Sequence, residues 1–154
     1  MTNAIADSNF IIALVDKRDK WRQQALTLQN ALKEENAELV YLDCIINETI
    51  SVLGRRLEEK GRSNEFETVL EKIEEIVPPE DVTWIYPEVR TLYREILNLV
   101  KAYNGSLNFH DALIVAAAKQ MKIPLIISFD KEFDQVEGIK RIKNPSDLKG
   151  TKIN

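Results

Sequence analysis

The sequence predicts an α/β fold, a single domain with a small central parallel sheet flanked by helices on both faces. Short apolar stretches alternate along the chain with longer segments whose apolar residues recur at helical spacing. That alternation builds parallel sheets with helical crossovers. The run Leu125–Ile127 holds no polar side chain, as a strand covered on both faces requires. At 154 residues, 44% of them hydrophobic and 30% charged, the chain suits one ordinary globular domain with a real core.

Ala4–Ala6 reads as the first strand, ending at Asp7, and Ser8-Asn9 turn the chain into the apolar segment Phe10–Val15. Asp16 or Asp19 starts the next helix, with Trp21, Ala25, Leu28 and Leu32 on its inner face. Leu39–Leu42 is a second strand. Asp43 then caps a helix from Cys44 to about Lys60, closed by Gly61 as a left-handed stop. Glu48 falls at the edge of that helix's apolar arc, beside Ile45 and Val52, where it would wall a cleft or simply pair with Arg55. Ser63–Val77 is a helix with Phe66, Val69, Leu70, Ile73 and Val77 inward, stopped by Pro78-Pro79.

Val82–Ile85 reads as a strand, and Pro87 opens a helix whose core stripe is Val89, Leu92, Tyr93, Ile96, Val100 and Tyr103. Asn108 caps a further helix with Asp111 in its first turn. One and two turns beyond Asp111 stand Ile114, Val115 and Ala118, so that helix carries Asp111 toward the interior. After a turn at Lys122-Ile123-Pro124 come the strand Leu125–Ile127 and an acidic loop holding Asp130. Ile139–Ile142 supplies an edge strand, and a polar tail runs from about residue 145.

Composition excludes several classes. The net charge of -4 argues against a whole surface that grips nucleic acid, while leaving local basic clusters around Lys17-Arg18, Arg55-Arg56 and Lys140-Arg141. The lone Cys44 rules out a disulfide framework or a thiolate metal cluster and points to the cytoplasm. Apolar runs fall short of a membrane span, and no signal segment opens the chain. The five glycines are scattered, so there is no phosphate loop, and the one histidine, His110, cannot build a histidine metal site. His110 reads first as a partly exposed helix-start residue and only second as a base.

Carboxylate chemistry remains. Asp7 ends the first strand, Glu48 edges a helix after the second, Asp111 starts a helix, and Asp130 follows Leu125–Ile127. In a parallel sheet these points share the carboxyl edge, where such folds bind ligands. Four acids gathered there repel one another unless their pKa values rise or a divalent cation neutralises them. Oxygen donors without His or Cys favour Mg²⁺ or Mn²⁺.

The motifs Ala6-Asp7-Ser8-Asn9-Phe10, Asn47-Glu48, His110-Asp111 with the run to Ala118, and Ser128-Phe129-Asp130-Lys131-Glu132-Phe133 stand in an order that resembles PIN-domain ribonucleases. In size the chain is similar to the VapC-type toxins of toxin–antitoxin pairs. The resemblance covers nearly the whole chain and implies a metal-dependent endoribonuclease. It places the acidic centre on Asp7, Glu48, Asp111 and Asp130, with Asp7 and Asp111 as principal ligands of Mg²⁺ or Mn²⁺. Ser8, Asn9 and Ser128 match supporting positions, and Asp134 is a weaker candidate. Arg55, Arg56 and Lys131 are the residues expected to meet substrate. The resemblance also implies an RNA substrate and an antitoxin partner. Apolar helix surface around Trp21 and Phe66 adds the expectation of a homodimer. Two other readings stand beside it. One is a phosphate-ester hydrolase with Asp7 as nucleophile, although Asn9 occupies the place of the second acid it would want. The other is a PIN-fold RNA-binding or protein-assembly module with an inactive site.

Overall fold

The short apolar runs pair as parallel strands, which the computed structural model describes along with the rest of residues 2–151. The strands are β1 (Asn3–Ala6), β2 (Glu38–Leu42), β3 (Val82–Thr83), β4 (Leu125–Ile127) and β5 (Lys140–Ile142), in the order β3-β2-β1-β4-β5. Every neighbouring pair is parallel. β1 lies at the centre, and the chain builds outward on one side through β2 and β3, then on the other through β4 and β5. The order therefore reverses between β1 and β4, and a cleft opens beyond their carboxyl ends.

Among the described residues six α-helices join the strands: α1 (Ser8–Val15), α2 (Arg22–Glu34), α3 (Asp43–Glu59), α4 (Phe66–Ile76), α5 (Val89–Ala102) and α6 (Phe109–Met121). α1 is almost wholly apolar because it is buried nearly all round, between the sheet and the other helices. Its Ile12 and Val15 meet Leu53 and Leu57 of α3 and Val69 and Ile73 of α4 in a satellite core. α6 packs against α5, and every residue from Asp111 to Ala118 is buried. The expected inward stripe on α6 is thus the whole circumference. Its alanines let the neighbouring elements approach closely, at no cost in helix propensity.

Several boundaries differ from expectation for identifiable reasons. β3 stops at Thr83, because the chain turns at Ile85 into a 3₁₀ turn, Tyr86–Glu88, with Pro87 inside it. Asp43 Oδ2 accepts from Tyr86 N–H and fixes that turn. The segment from Ser63 begins as a 3₁₀ turn, Ser63–Glu65, before α4. Neither Asp16 nor Asp19 caps α2. Asp19 accepts from Trp21 N–H just ahead of the helix, and Asp16 accepts from Arg18 N–H and from Arg62. Tyr93 is 52% exposed and lies against Phe109, while Leu99 takes an inward place on α5.

The expected polar tail is ordered through its first part. Pro145–Leu148 forms a 3₁₀ turn with a capping box on Asn144, Gln24 of α2 donates to Asn144, and Leu148 packs on the main core. Residues 152–154 of that tail lie outside the described residues. No helix among the described residues is long and apolar enough to cross a membrane.

Candidate active site

β1 delivers Asp7 to the carboxyl edge and α1 starts on it. Asp7 caps that helix, its Oδ1 accepting from Ser8 N–H at 2.8 Å. Its Oδ2 accepts from Ser128 Oγ at 2.6 Å and from Asn9 Nδ2 at 3.0 Å. Burial still dominates: at 5% exposure the Asp7 carboxyl is pushed up to about 6, the hydrogen bonds from Ser128 and Ser8 holding it down only in part. Ser128, just past β4, also accepts from Asn9 Nδ2 and Asp130 N–H, and Asn9 Oδ1 accepts from Phe129 N–H. Asn9 and Ser128 therefore lock the ends of β1 and β4 together around one carboxylate.

Asp111 arrives from the other side. Asn108 caps α6 by accepting from Asp111 N–H at 2.9 Å, which sets the helix start and aims the Asp111 carboxyl into the site. Its Oδ2 is buried with no hydrogen-bond donor. Burial, then the carboxyl of Glu132 pressed against it, pushes Asp111 up to about 7. Glu132 is a candidate site residue that reading the sequence missed. It lies in the 3₁₀ turn Lys131–Gln135, and its one signal was a second acid two residues after Asp130.

Glu48 projects from α3 toward His110, with Oε2 2.9 Å from His110 Nε2 at an angle that gives the ring N–H no in-line hydrogen bond. Burial raises the Glu48 carboxyl, but His110 and the Ser8 hydroxyl outweigh it and the net shift is downward. On His110 burial acts downward, and the Glu48, Asp111 and Asp7 carboxyls together raise it. Glu48 is thus paired with His110, and Arg55 turns outward to Glu59.

The remaining candidates divide. Asp130 is exposed at the rim, where its Oδ1 accepts from Glu132 N–H and so starts the turn that carries Glu132 inward. Asp134 is taken by Arg141 through two 2.7 Å contacts. Arg56 and Lys131 line a cleft next to the site, together with Asn9 and Asp130, and Arg55 does not.

The arrangement concentrates carboxylates around one histidine at the sheet edge, with no Lys or Arg ion pair to Asp7, Glu48 or Asp111 among the described residues. As these side chains stand, no three of them are gathered at metal-ligand spacing among the described residues. The donor set nonetheless fits a hard cation. It is all oxygen, Asp111 Oδ2 is an orphan buried acceptor, and the crowded Asp111–Glu132 pair is relieved either by a proton or by a positive ion.

Among solved structures, the chain is similar to VapC20 of Mycobacterium tuberculosis, described as a sarcin-ricin loop cleaving toxin. The TM-score is 0.63 at 17% identity, over 85% of this chain and 92% of that one. It is also similar to a chain of VapBC2 from Rickettsia felis, solved bound to a DNA fragment from the promoter. Here the TM-score is 0.63 at 12% identity, over 92% and 98% of the two chains. At those identities the likeness is one of fold. No curated protein sequence matches the chain. The PIN domain family model matches residues 4–139, nearly the whole of the sheet and its helices, and the chain belongs to the PIN domain family.

Proposed function

We propose that this protein is a metal-dependent endoribonuclease that hydrolyses RNA phosphodiester bonds at the site built on Asp7, Glu48 and Asp111. The observation that carries the reading is the state of Asp111: a buried carboxylate with one oxygen lacking any donor and a second carboxyl pressed against it. Proteins do not hold acids in that way for stability, since each raised pKa is a cost to folding at neutral pH.

Asp7, Asp111 and Glu132 would hold Mg²⁺ or Mn²⁺, with Glu48 and Asp130 completing its surroundings through water. A cation so held supplies an activated water and neutralises charge on the phosphate under attack. Ser8, Asn9 and Ser128 keep Asp7 in one orientation, which fixes where a bound phosphate meets the acids. His110 balances Glu48 without leaving the site. The likeness to VapC20 and VapBC2 supports the further proposal that the chain is the toxin of a toxin–antitoxin pair. A partner has a surface to meet beside the site, where Trp84, Tyr86, Tyr93 and Phe109 are exposed and Tyr86 holds the neighbour of Glu48, Asn47.

The spread of the carboxylates supports a second reading, a PIN-fold RNA-binding or protein-assembly module with an inactive site. A phosphate-ester hydrolase is less suited, because both Asp7 oxygens are engaged and Asn9 is spent on positioning. Incubating the protein with a mixed RNA substrate and Mn²⁺, beside Asp7→Asn and Asp111→Asn, tests the choice. Cleavage by wild type alone is expected. Wild type that binds RNA but cleaves none at any Mn²⁺ or Mg²⁺ concentration would leave the module reading in place.

A further inference from the structure

Beside the acids runs a cleft of about 710 Å³ whose charge opposes that of the chain. Five cations line it, Arg18, Lys20, Arg56, Lys60 and Lys131, against the carboxylates of Asp19, Glu59 and Asp130, on a chain of net charge -4. Asp19 is already engaged by Trp21 N–H and Arg56, and Glu59 by Arg55. Lys20, Lys60 and Lys131 are exposed and have no ion-pair partner among the described residues. Two basic clusters that are distant in sequence, before α2 and at the end of α3, thus converge on one surface.

The same cleft carries an aromatic step. Phe129 stacks on Trp21 with ring centroids 5.1 Å apart and planes inclined by 19°. Lys20 Nζ also lies over a face of the Trp21 ring, 5.2 Å from its centroid. A lone exposed lysine holds that face weakly, and a nucleobase could replace it while the ammonium moves to a phosphate. Asn9 and Asp130 line the cleft and also reach the acids, Asn9 through Asp7 and Asp130 through Ser128. A strand held at the acids therefore leaves over these two residues into the basic cleft. An acidic protein segment would use the cations but would have no use for the indole face, so the pairing favours a single-stranded nucleic acid.

We propose that this cleft binds the single-stranded RNA segment flanking the scissile phosphate, with Trp21 stacking one base and Lys20, Lys60 and Lys131 meeting phosphates. The proposal rests on the nuclease reading and adds to it the path of the strand and the residue that grips a base.

The test uses Trp84→Phe protein, in which Trp21 is the one remaining tryptophan, in EDTA so that binding is read without cleavage. The probes are a short mixed-sequence single-stranded RNA, its duplex, and polyglutamate. Single-stranded RNA is expected to quench Trp21, and Trp21→Ala to weaken binding about 5- to 150-fold, the equivalent of one stacked base. Lys20→Ala and Lys131→Ala, at exposed positions that leave the core intact, should each lower the slope of log affinity against log salt by about 0.7. Lys101→Ala, at the end of α5, should leave the slope unchanged. RNA that binds without quenching, cation variants that keep the wild-type slope, or equal quenching by duplex or polyglutamate would overturn the proposal. Cleavage with Mn²⁺ is read separately. Cleavage without quenching rejects the cleft and keeps the nuclease; quenching without cleavage does the reverse.

Discussion

Of the acids at the candidate site, Asp111 has its carboxyl raised furthest. It stands in a helix start, where an acid is ordinarily favourable, yet burial and Glu132 hold its carboxyl up to about 7. Asp111→Asn removes a charge that the fold opposes while keeping the side chain's shape. In a calorimetric Mn²⁺ titration wild type is expected to bind and the variant to lose binding. Without metal the variant should melt no lower than wild type. A variant that simply melts lower, beside wild type indifferent to Mn²⁺, would make Asp111 a structural cap. The neighbouring acids separate in the same assay. Glu132→Gln should weaken Mn²⁺ binding more than Asp130→Asn, because Glu132 faces Asp111 while Asp130 is exposed at the rim. The reverse order would return Asp130 to the centre of the site.

At the scale of elements, the site depends on how two helices begin and how two others are joined. Asn108→Ala removes the cap of α6 and is expected to cost about 1 kcal/mol in denaturant unfolding. Because the same hydrogen bond orients the first turn, Mn²⁺ affinity should fall as well, which capping elsewhere would not cause. Arg62, between α3 and α4, donates to Asp16 at 3.0 Å and to Glu65 at 2.6 Å and 3.0 Å. Burial raises the Asp16 carboxyl, but the Arg62 hydrogen bond and charge outweigh it. For Glu65 the Arg62 hydrogen bond is the leading cause, and both acids titrate below their ordinary values. Depressed carboxylates contribute stability that is present above the unfolded pKa and lost as pH falls through the folded one. Arg62→Met is therefore expected to lower the melting temperature at pH 7, and its deficit should shrink below about pH 4. A deficit independent of pH would mean that packing, not the ion pairs, is what Arg62 supplies.

For the whole molecule the balance of titrating groups runs the other way near neutrality. Asp7 at about 6 and Asp111 at about 7 both lie above their ordinary 3.8, so the folded state holds protons that the unfolded chain releases. Between about pH 4 and 7 stability should fall as pH rises, by on the order of 2 kcal/mol for Asp7 alone. His110, raised in the fold, loses its contribution in the same direction. Melting temperature in EDTA should accordingly be higher at pH 5 than at pH 8, and saturating Mn²⁺ should remove much of the difference. A metal-free protein equally stable at both values would mean that the acids are better solvated than their burial implies. Surface matters at this scale too. In the expected association surface, Trp21 and Phe66 are half-buried, Trp21 against Phe129 and Phe66 against the satellite core. Among the described residues the large apolar side chains left exposed are Trp84, Tyr86, Tyr93 and Phe109.

The order of elements, the parallel sheet and the placing of Asp7 and Asp111 at helix starts were legible in the sequence, because each depends on local rules, whereas Glu48 entered through the family resemblance. Alternating period, an apolar run without polar residues, and an acid or amide at a helix start are all decided within a few residues. β3 was overestimated because its length depends on Asp43, some forty residues earlier in the chain, which accepts from Tyr86 and turns the strand away. Glu132 was missed for a similar reason: two acids in one loop look alike until the turn begun by Asp130 points one inward and leaves the other at the rim. Pairing of charges was equally hidden. Arg55 and Arg56 are adjacent in sequence, yet one faces solvent and Glu59 while the other enters the cleft with Lys131. The sequence by itself determined which segments become strands and helices and which acids stand at their ends. Only the tertiary structure decided which carboxylates meet, which cations share a surface with them, and which aromatic face stays within reach. Those facts depend on contacts between residues up to 121 positions apart, and no local preference encodes them.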